Sequence, residues 1–341
     1  MKRLLGVLGI CTLVPAPGCV QSPGASTVGS SPVEALRGEP SRPVREFHFE
    51  CSTTLAGLPA SAKELRIWLP IPQTDENQTI SNLRIESPLA HRETRESTYG
   101  NRIAYFECVG TCPERVPIKV SFDVHRVETS EGNGLMQAGQ RERLLAGDRL
   151  APTTGEAQAR AVQAAPPTGD NTAKARAIYD RVLSDVEYSK TVPGWGHGDL
   201  SYVCRVGKGN CSDFHALFIS MARSQQIPAL FEIGFPLPRD KKEGTIAGYH
   251  CWAWYEDSSG VWRPVDASEA DKDPARKEFF FGSLCCNRVA LSRGRDIVLE
   301  PRQSGEPLNF FVYPYVEVDG KPLESGIEKA FSFKELSVTS S

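Results

Sequence analysis

The stretch Gly209-Asn210-Cys211-Ser212-Asp213-Phe214 decides how the rest of the chain is read. Asn210 is a favoured N-cap residue, and Asp213, three positions on, can reach back to the cap in the manner of a capping box. Phe214, Leu217, Phe218, Met221 and Ala222 then recur at helical spacing, so a helix is expected to begin at Cys211. A thiol in that position feels unsatisfied backbone N–H groups and the positive end of the helix dipole, both of which favour a thiolate. The same N–H groups can hold an oxyanion. Taken alone, the motif more often marks a buried cysteine that merely happens to start a helix.

A thiolate nucleophile needs a base. Gly248-Tyr249-His250-Cys251-Trp252-Ala253-Trp254-Tyr255 reads as a strand that places His250, Trp252 and Trp254 on one face. Glu256 to Gly260 reads as a turn and Val261-Trp262-Arg263-Pro264-Val265-Asp266 as the returning strand. A hairpin centred on Ser258 sets His250 directly opposite Asp266, with Cβ atoms roughly 5 Å apart. A one-residue slip would send the two side chains to opposite faces. Pro264 must sit where the ladder asks for no N–H. Cys, His and Asp placed on a helix start and two neighbouring strands have the logic of nucleophile, base and orienting carboxylate.

Upstream of this region, a helix is expected behind the caps Asp170 and Asn171, with Ile178, Val182 and Val186 on its inner face. Strands are expected at Leu230 to Phe235, Asp296 to Leu299 and Phe310 to Val318. Helices first and sheet after is an α+β order rather than a parallel βαβ array. Residues 45–128 instead show short alternating segments, such as Leu65-Arg66-Ile67-Trp68-Leu69, separated by turn clusters. They predict an N-terminal antiparallel β-sandwich-like domain. Residues 129–169 read as a linker with room for one short helix, 170–331 as the catalytic domain and 332–341 as a C-terminal tail.

At 341 residues, with 40% hydrophobic and 24% charged residues, the chain has ample material for a buried core. A net charge of -3 provides no basic field for nucleic acid. Residues 1–19 resemble an export signal: Lys2 and Arg3, an apolar run from Leu4 to Val14 too short to span a bilayer, then Ala16-Pro17-Gly18-Cys19. The last four residues resemble a lipobox, which makes Cys19 the expected lipidation site and membrane anchor. Residues 20–44 are rich in Ser, Pro and Gly and read as a flexible tether. Of 10 cysteines, eight lie beyond the signal, and Cys108-x3-Cys112 is open to reading as a disulfide, as free thiols or as half a zinc site.

The catalytic stretch closely resembles the transglutaminase-like superfamily. Gly209-Asn210-Cys211-Ser212-Asp213-Phe214-His215, Gly248-Tyr249-His250-Cys251-Trp252-Ala253 and Pro264-Val265-Asp266-Ala267-Ser268 carry the match. Gly194-Trp195-Gly196 and Phe281-Gly282 also look like segments of bacterial members that have a leading β domain. The resemblance implies a papain-like cysteine fold with Cys211 as nucleophile, His250 as base and Asp266 as orienter. It implies acyl transfer on amide or peptide bonds through a thioester, completed by water or by an amine, with a protein or peptide as substrate.

Other residues around this stretch are weaker candidates. Trp195 is a candidate oxyanion donor, and Ser212, Asp213 and His215 are candidates to support the nucleophile. Trp252 and Trp254 are candidates to wall a substrate groove, although alternating aromatics on a strand more often pack a core. No metal or other cofactor is expected, because the acidic run Asp266 to Asp273 lacks the spacing of a calcium loop. The rival expectation is a binding lipoprotein that keeps the fold without turnover.

Overall fold

In a computed structural model, residues 42–132, 140–166 and 168–336 are described, and they fall within one compact unit. The expected signal and Cys19, almost all of the tether and the last five residues of the tail lie outside the described residues.

Six strands come first: β1 (Val44–Ala56), β2 (Glu64–Ile71), β3 (Gln78–Glu86), β4 (His91–Arg95), β5 (Arg102–Val109) and β6 (Arg115–Val127). Helices α1 (Arg141–Leu145), α2 (Glu156–Ala164) and α3 (Asn171–Asp185) follow. The next segment runs β7 (Glu187–Tyr188), α4 (Leu200–Val206), β8 (Lys208–Gly209), α5 (Cys211–Ser224), β9 (Ala229–Pro236), β10 (Glu243–Thr245), β11 (His250–Glu256), β12 (Trp262–Val265) and α6 (Ala267–Lys272). After a short 3-10 turn the chain closes with β13 (Arg288–Arg293), β14 (Tyr315–Val318), β15 (Lys321–Pro322) and β16 (Ile327–Glu335).

Two five-stranded antiparallel sheets, ordered β10-β16-β1-β6-β3 and β15-β14-β2-β5-β4, form the sandwich. Alternation along each strand turns Phe47, Phe49, Phe122 and Val124 of one sheet and Leu65, Ile67, Leu69 and Phe106 of the other into a shared apolar core. A third sheet, β12-β11-β9-β13, carries the helical half, and α5 packs on β11 and β9. Phe235 at the end of β9 joins the two halves: its ring lies 5.4 Å from Phe49 and 4.2 Å from Phe331 between centroids.

Several expectations need amending. The presumed linker holds two helices, α1 and α2, and Ala157 and Ala161 of α2 are buried. The last strands do not belong to the helical half. β14 pairs with β2, and β16 pairs along its whole length with Phe47 to Leu55 of β1, because Phe331 and Phe333 alternate inward and find the apolar core there. The strand expected at 296–299 reduces to a single bridge between Ile297 and Leu308, and that expected at 310–318 shortens to β14. All eight cysteines of the described unit are free thiols, Cys108 and Cys112 among them.

Because Phe235 is fully buried between the two halves, Phe235→Ala should destabilise the protein by about 3–5 kcal/mol. Urea unfolding of residues 42–341 followed by tryptophan fluorescence measures this; a loss under about 1 kcal/mol would mean the two halves hold together without that ring.

Candidate active site

The start of α5 is built around one carboxylate. Asn210 caps the helix, its side chain accepting from Ser212 N at 2.9 Å, while Asp213 Oδ2 accepts from Asn210 N at 2.8 Å to complete the capping box. Asp213 also accepts from Gly196 N at 2.7 Å and Gly198 N at 2.9 Å, so it lashes the Trp195 loop to the helix. This side chain lies so close over Gly209 that a Cβ there would stand 2.3 Å from Asp213 Oδ2. The glycine before the cap is therefore required by close approach rather than by its dihedral angles. Tyr249, from the segment leading into β11, fastens the same corner: its hydroxyl lies 3.0 Å from Asn210 Nδ2 and 3.0 Å from Ser212 Oγ.

β11 and β12 form the expected hairpin, but its register is displaced. Ala253 faces Val265 and Trp254 faces Pro264, which moves the expected partner by two residues and keeps the parity of the faces. Asp266 therefore does not sit opposite His250 on a strand. It leaves β12 to become the N-cap of α6, its Oδ1 accepting from Glu269 N at 3.1 Å and Ser268 Oγ at 3.2 Å. That bend brings Oδ2 to His250, whose Nε2–H donates to it at 2.7 Å. Pro264 is accommodated because β12 is an edge strand.

With Nε2 held by Asp266, Nδ1 is the ring nitrogen left for the thiol, and His250 and Cys211 lie near enough for each to shift the other's protonation. All three residues are buried, Cys211 at 2%, His250 at 4% and Asp266 at 0% exposure. Burial pushes the Cys211 thiol up, but hydrogen bonds from Cys251 and His250 and the charge of His250 bring it well below its usual value. Burial likewise opposes a charged His250, and the Asp266 carboxylate outweighs it, raising the ring to about 10. Asp266 is driven the other way: despite burial, the charges of His250 and Arg288 hold it far below the usual carboxylate range. The arrangement favours a thiolate beside an imidazolium steered by a carboxylate.

The remaining candidates divide. His215 is fully buried on the same helix as Cys211, one turn further on. Its Nε2 accepts from Ala267 N at 3.1 Å and its Nδ1 lies 3.6 Å from Cys251 Sγ, so the ring is neutral, with burial lowering it to about 4. It supports the start of α6 and does not contact solvent. Ser212 Oγ lies 3.8 Å from Cys251 Sγ, and the Ser212 N–H is spent on the cap. The cap does not use the N–H of Cys211, which stays the first-turn amide suited to an oxyanion.

Trp195 is half-buried, with Lys190 Nζ 5.7 Å from its ring centroid. Trp252 and Trp254 do not wall a groove. Both are buried, donating their indole N–H groups to Glu232 at 2.6 Å and 2.9 Å, because period two turns them to the sheet face away from α5. The cleft that reaches His250 is lined instead by Tyr188, Lys190, Leu237, Ile246 and Tyr249, with a volume of about 460 Å³.

Two site residues escaped sequence reasoning. Arg288 on β13 donates to Asp266 Oδ2 at 3.0 Å, and Glu269 on α6 lies 3.9 Å from His250 Nε2 while pairing with Lys272. Glu269 follows Asp266 by three residues, the spacing of a cap and its helix, and was open to recognition. Arg288 is 22 residues away on another strand and left no local signal.

Residues 158–267, which contain Cys211, His250 and Asp266, match the family model for the transglutaminase-like superfamily. A Haemophilus influenzae (Rd) protein described only as uncharacterized is 30% identical over 196 residues, 48% of this chain and 53% of that protein. The match thus spans about half the length of that curated relative. Among solved structures, a "Putative Cysteine Protease" from Cytophaga hutchinsonii has a TM-score of 0.58 at 15% identity, with 88% of this chain and 93% of that one covered. That likeness is one of fold. The periplasmic domain of TgpA from Pseudomonas aeruginosa gives a TM-score of 0.37 at 16% identity, covering 68% of this chain and 92% of that one.

The depressed Cys211 thiol and raised His250 predict a distinctive alkylation profile. An ordinary thiol of pKa about 9 loses reactivity tenfold per pH unit below that value. Cys211 should instead react with iodoacetamide at a nearly constant rate from pH 9 down past pH 7, then lose it as the imidazolium–thiolate pair takes up a proton. Peptide mapping of labelled Cys211 against pH tests this, and a profile with its midpoint near 9 would show that no ion pair forms.

Proposed function

We propose that this protein is a cysteine-dependent enzyme that transfers acyl groups from amide or peptide bonds through a thioester on Cys211. The observation that carries the proposal is the buried thiol–imidazole–carboxylate series, in which Asp266 fixes His250 at 2.7 Å and leaves its other nitrogen for Cys211. The thiolate attacks the carbonyl carbon, forming a C–S bond, and the negative charge moves to the carbonyl oxygen. The Cys211 N–H stabilises that oxygen. His250 gives its proton to the departing amine as the C–N bond breaks. A water molecule or a primary amine then attacks the thioester, loses a proton to His250 and releases Cys211 as thiolate.

The open cleft beside His250, with Leu237, Ile246 and Tyr249 on its walls, suits an extended peptide segment rather than an enclosed small molecule. Water reaches such a cleft freely, so hydrolysis competes with any amine acceptor. The proposed setting is outside the cytoplasm. The segment 1–19 supplies an export signal, Cys19 an anchoring lipid, and 20–44 a tether that lets the domain reach substrates near a membrane surface. Among the described residues no helix is long and apolar enough to cross a membrane.

Incubation of residues 42–341 with glutaminyl peptides, with and without a primary amine, should release ammonia in both cases and incorporate amine only if transfer competes. Cys211→Ala should abolish turnover, and Asp266→Asn should lower kcat by roughly 10³–10⁴-fold. A folded wild type inert toward broad peptide and amide libraries would favour a binding role instead. For the anchor, cells expressing the full chain should incorporate labelled palmitate; Cys19→Ala should not. Equal labelling of both would refute lipidation at that residue.

A further inference from the structure

We propose that Arg288 is a positioning residue for the Cys211–His250–Asp266 site: it shares one carboxylate oxygen with His250 and supplies the positive charge that balances the buried thiolate and carboxylate. The inference deepens the function proposed above. The geometry is specific. Asp266 Oδ2 receives Nε2 of His250 at 2.7 Å and Nη1 of Arg288 at 3.0 Å, while Oδ1 is satisfied by Ser268 and Glu269 N. Both side chains of the Arg288–Asp266 pair are buried, at 3% and 0% exposure, and the guanidinium carbon stands 4.8 Å from the Trp252 ring centroid. A guanidinium packed on an indole and a carboxylate has little freedom to leave.

The charges explain why it is there. A thiolate, an imidazolium and a carboxylate sum to one uncompensated negative charge, and an unpaired charge in a dry site is resolved by taking up a proton. The other groups facing the site do not supply a balance. Glu269 and Lys272 neutralise one another, and His215 is neutral. Asp213, buried at the start of the same helix, is held by the backbone N–H groups of Gly196, Gly198 and Asn210, and among the described residues Arg288 is the cation that meets the Asp266 carboxylate and closes the sum. Its second contact, Nη2 to Cys285 Sγ at 3.6 Å, leaves one rival anion to be tested. With Arg288 removed, the cheapest response is protonation of Cys211, the group whose acid form costs least, so the nucleophile would be lost at neutral pH.

The test is the pH dependence of Cys211 alkylation in residues 42–341, read by peptide mapping, which needs no substrate and so separates this inference from the acyl-transfer proposal. Arg288→Met should move the acid limb upward and slow Cys211 labelling at pH 6 by about ten- to hundredfold, with rates converging on wild type above pH 9. Arg288→Lys, which keeps the charge, should recover most of the reactivity, and Cys285→Ser should leave the limb in place. Should Arg288→Met fail to fold, Arg288→Gln takes its part, keeping a hydrogen-bond donor without the charge. A purely structural role would lower reactivity equally at every pH. That outcome, an unmoved limb in a folded Met or Gln variant, or a Lys variant as impaired as the neutral one, overturns the proposal.

Discussion

Everything in the site converges on the Asp266 carboxylate. It ends β12, caps α6, orients His250 and meets Arg288, with no exposure to solvent. A carboxylate so placed would be too costly to bury without partners, and each partner comes from a different element: β11, α6 and β13. The charge that stabilises the imidazolium is thus also the pin that holds three elements together. Stability and chemistry are not separable at this residue, because any change that frees the carboxylate loosens the helix start that it caps.

The sequence made half of this arrangement readable. Asn210 and Asp213 announced the start of α5 because a capping box is a local signal, confined to four residues and dictated by the orphan N–H groups of a helix. Asp170 announced α3 for the same reason. His250 and Asp266 could be paired from the hairpin between them, since parity survives a two-residue error in register although position does not. The two-residue shift comes from the turn, which centres on Ser259 rather than Ser258; the capping of Glu269 by Asp266 is a separate local signal. Arg288 was beyond reach, because an arginine on a distant strand carries no mark of the carboxylate it will meet.

The sandwich shows the same division between local and distant. Alternation in 45–128 gave away its strands, and nothing local told where the sheets would find their remaining members. Those came from the other end of the chain. β14 extends one sheet beside β2 and β16 extends the other beside β1, so the helical half is inserted between two parts of the sandwich. Phe235, reaching from β9 to Phe49 and Phe331, touches strands drawn from both parts and couples the sheet that carries His250 to each. Short strands at both ends of the chain, separated by helices, are legible in the sequence, but neighbours in sequence usually share a domain and here they do not.

The pairing of β1 with β16 also orders events on the ribosome. Nearly 300 residues separate Phe47 from its partner Glu335, so a nascent chain that already includes Cys211 and His250 still presents β1 with one ladder edge open. Such an edge is a template for pairing with another chain until the last strand emerges to cover it. Long-range closure of this kind is slow to form, which makes the interval between synthesis of β1 and arrival of β16 the period when the polypeptide is most exposed to aggregation and most in need of a holding chaperone.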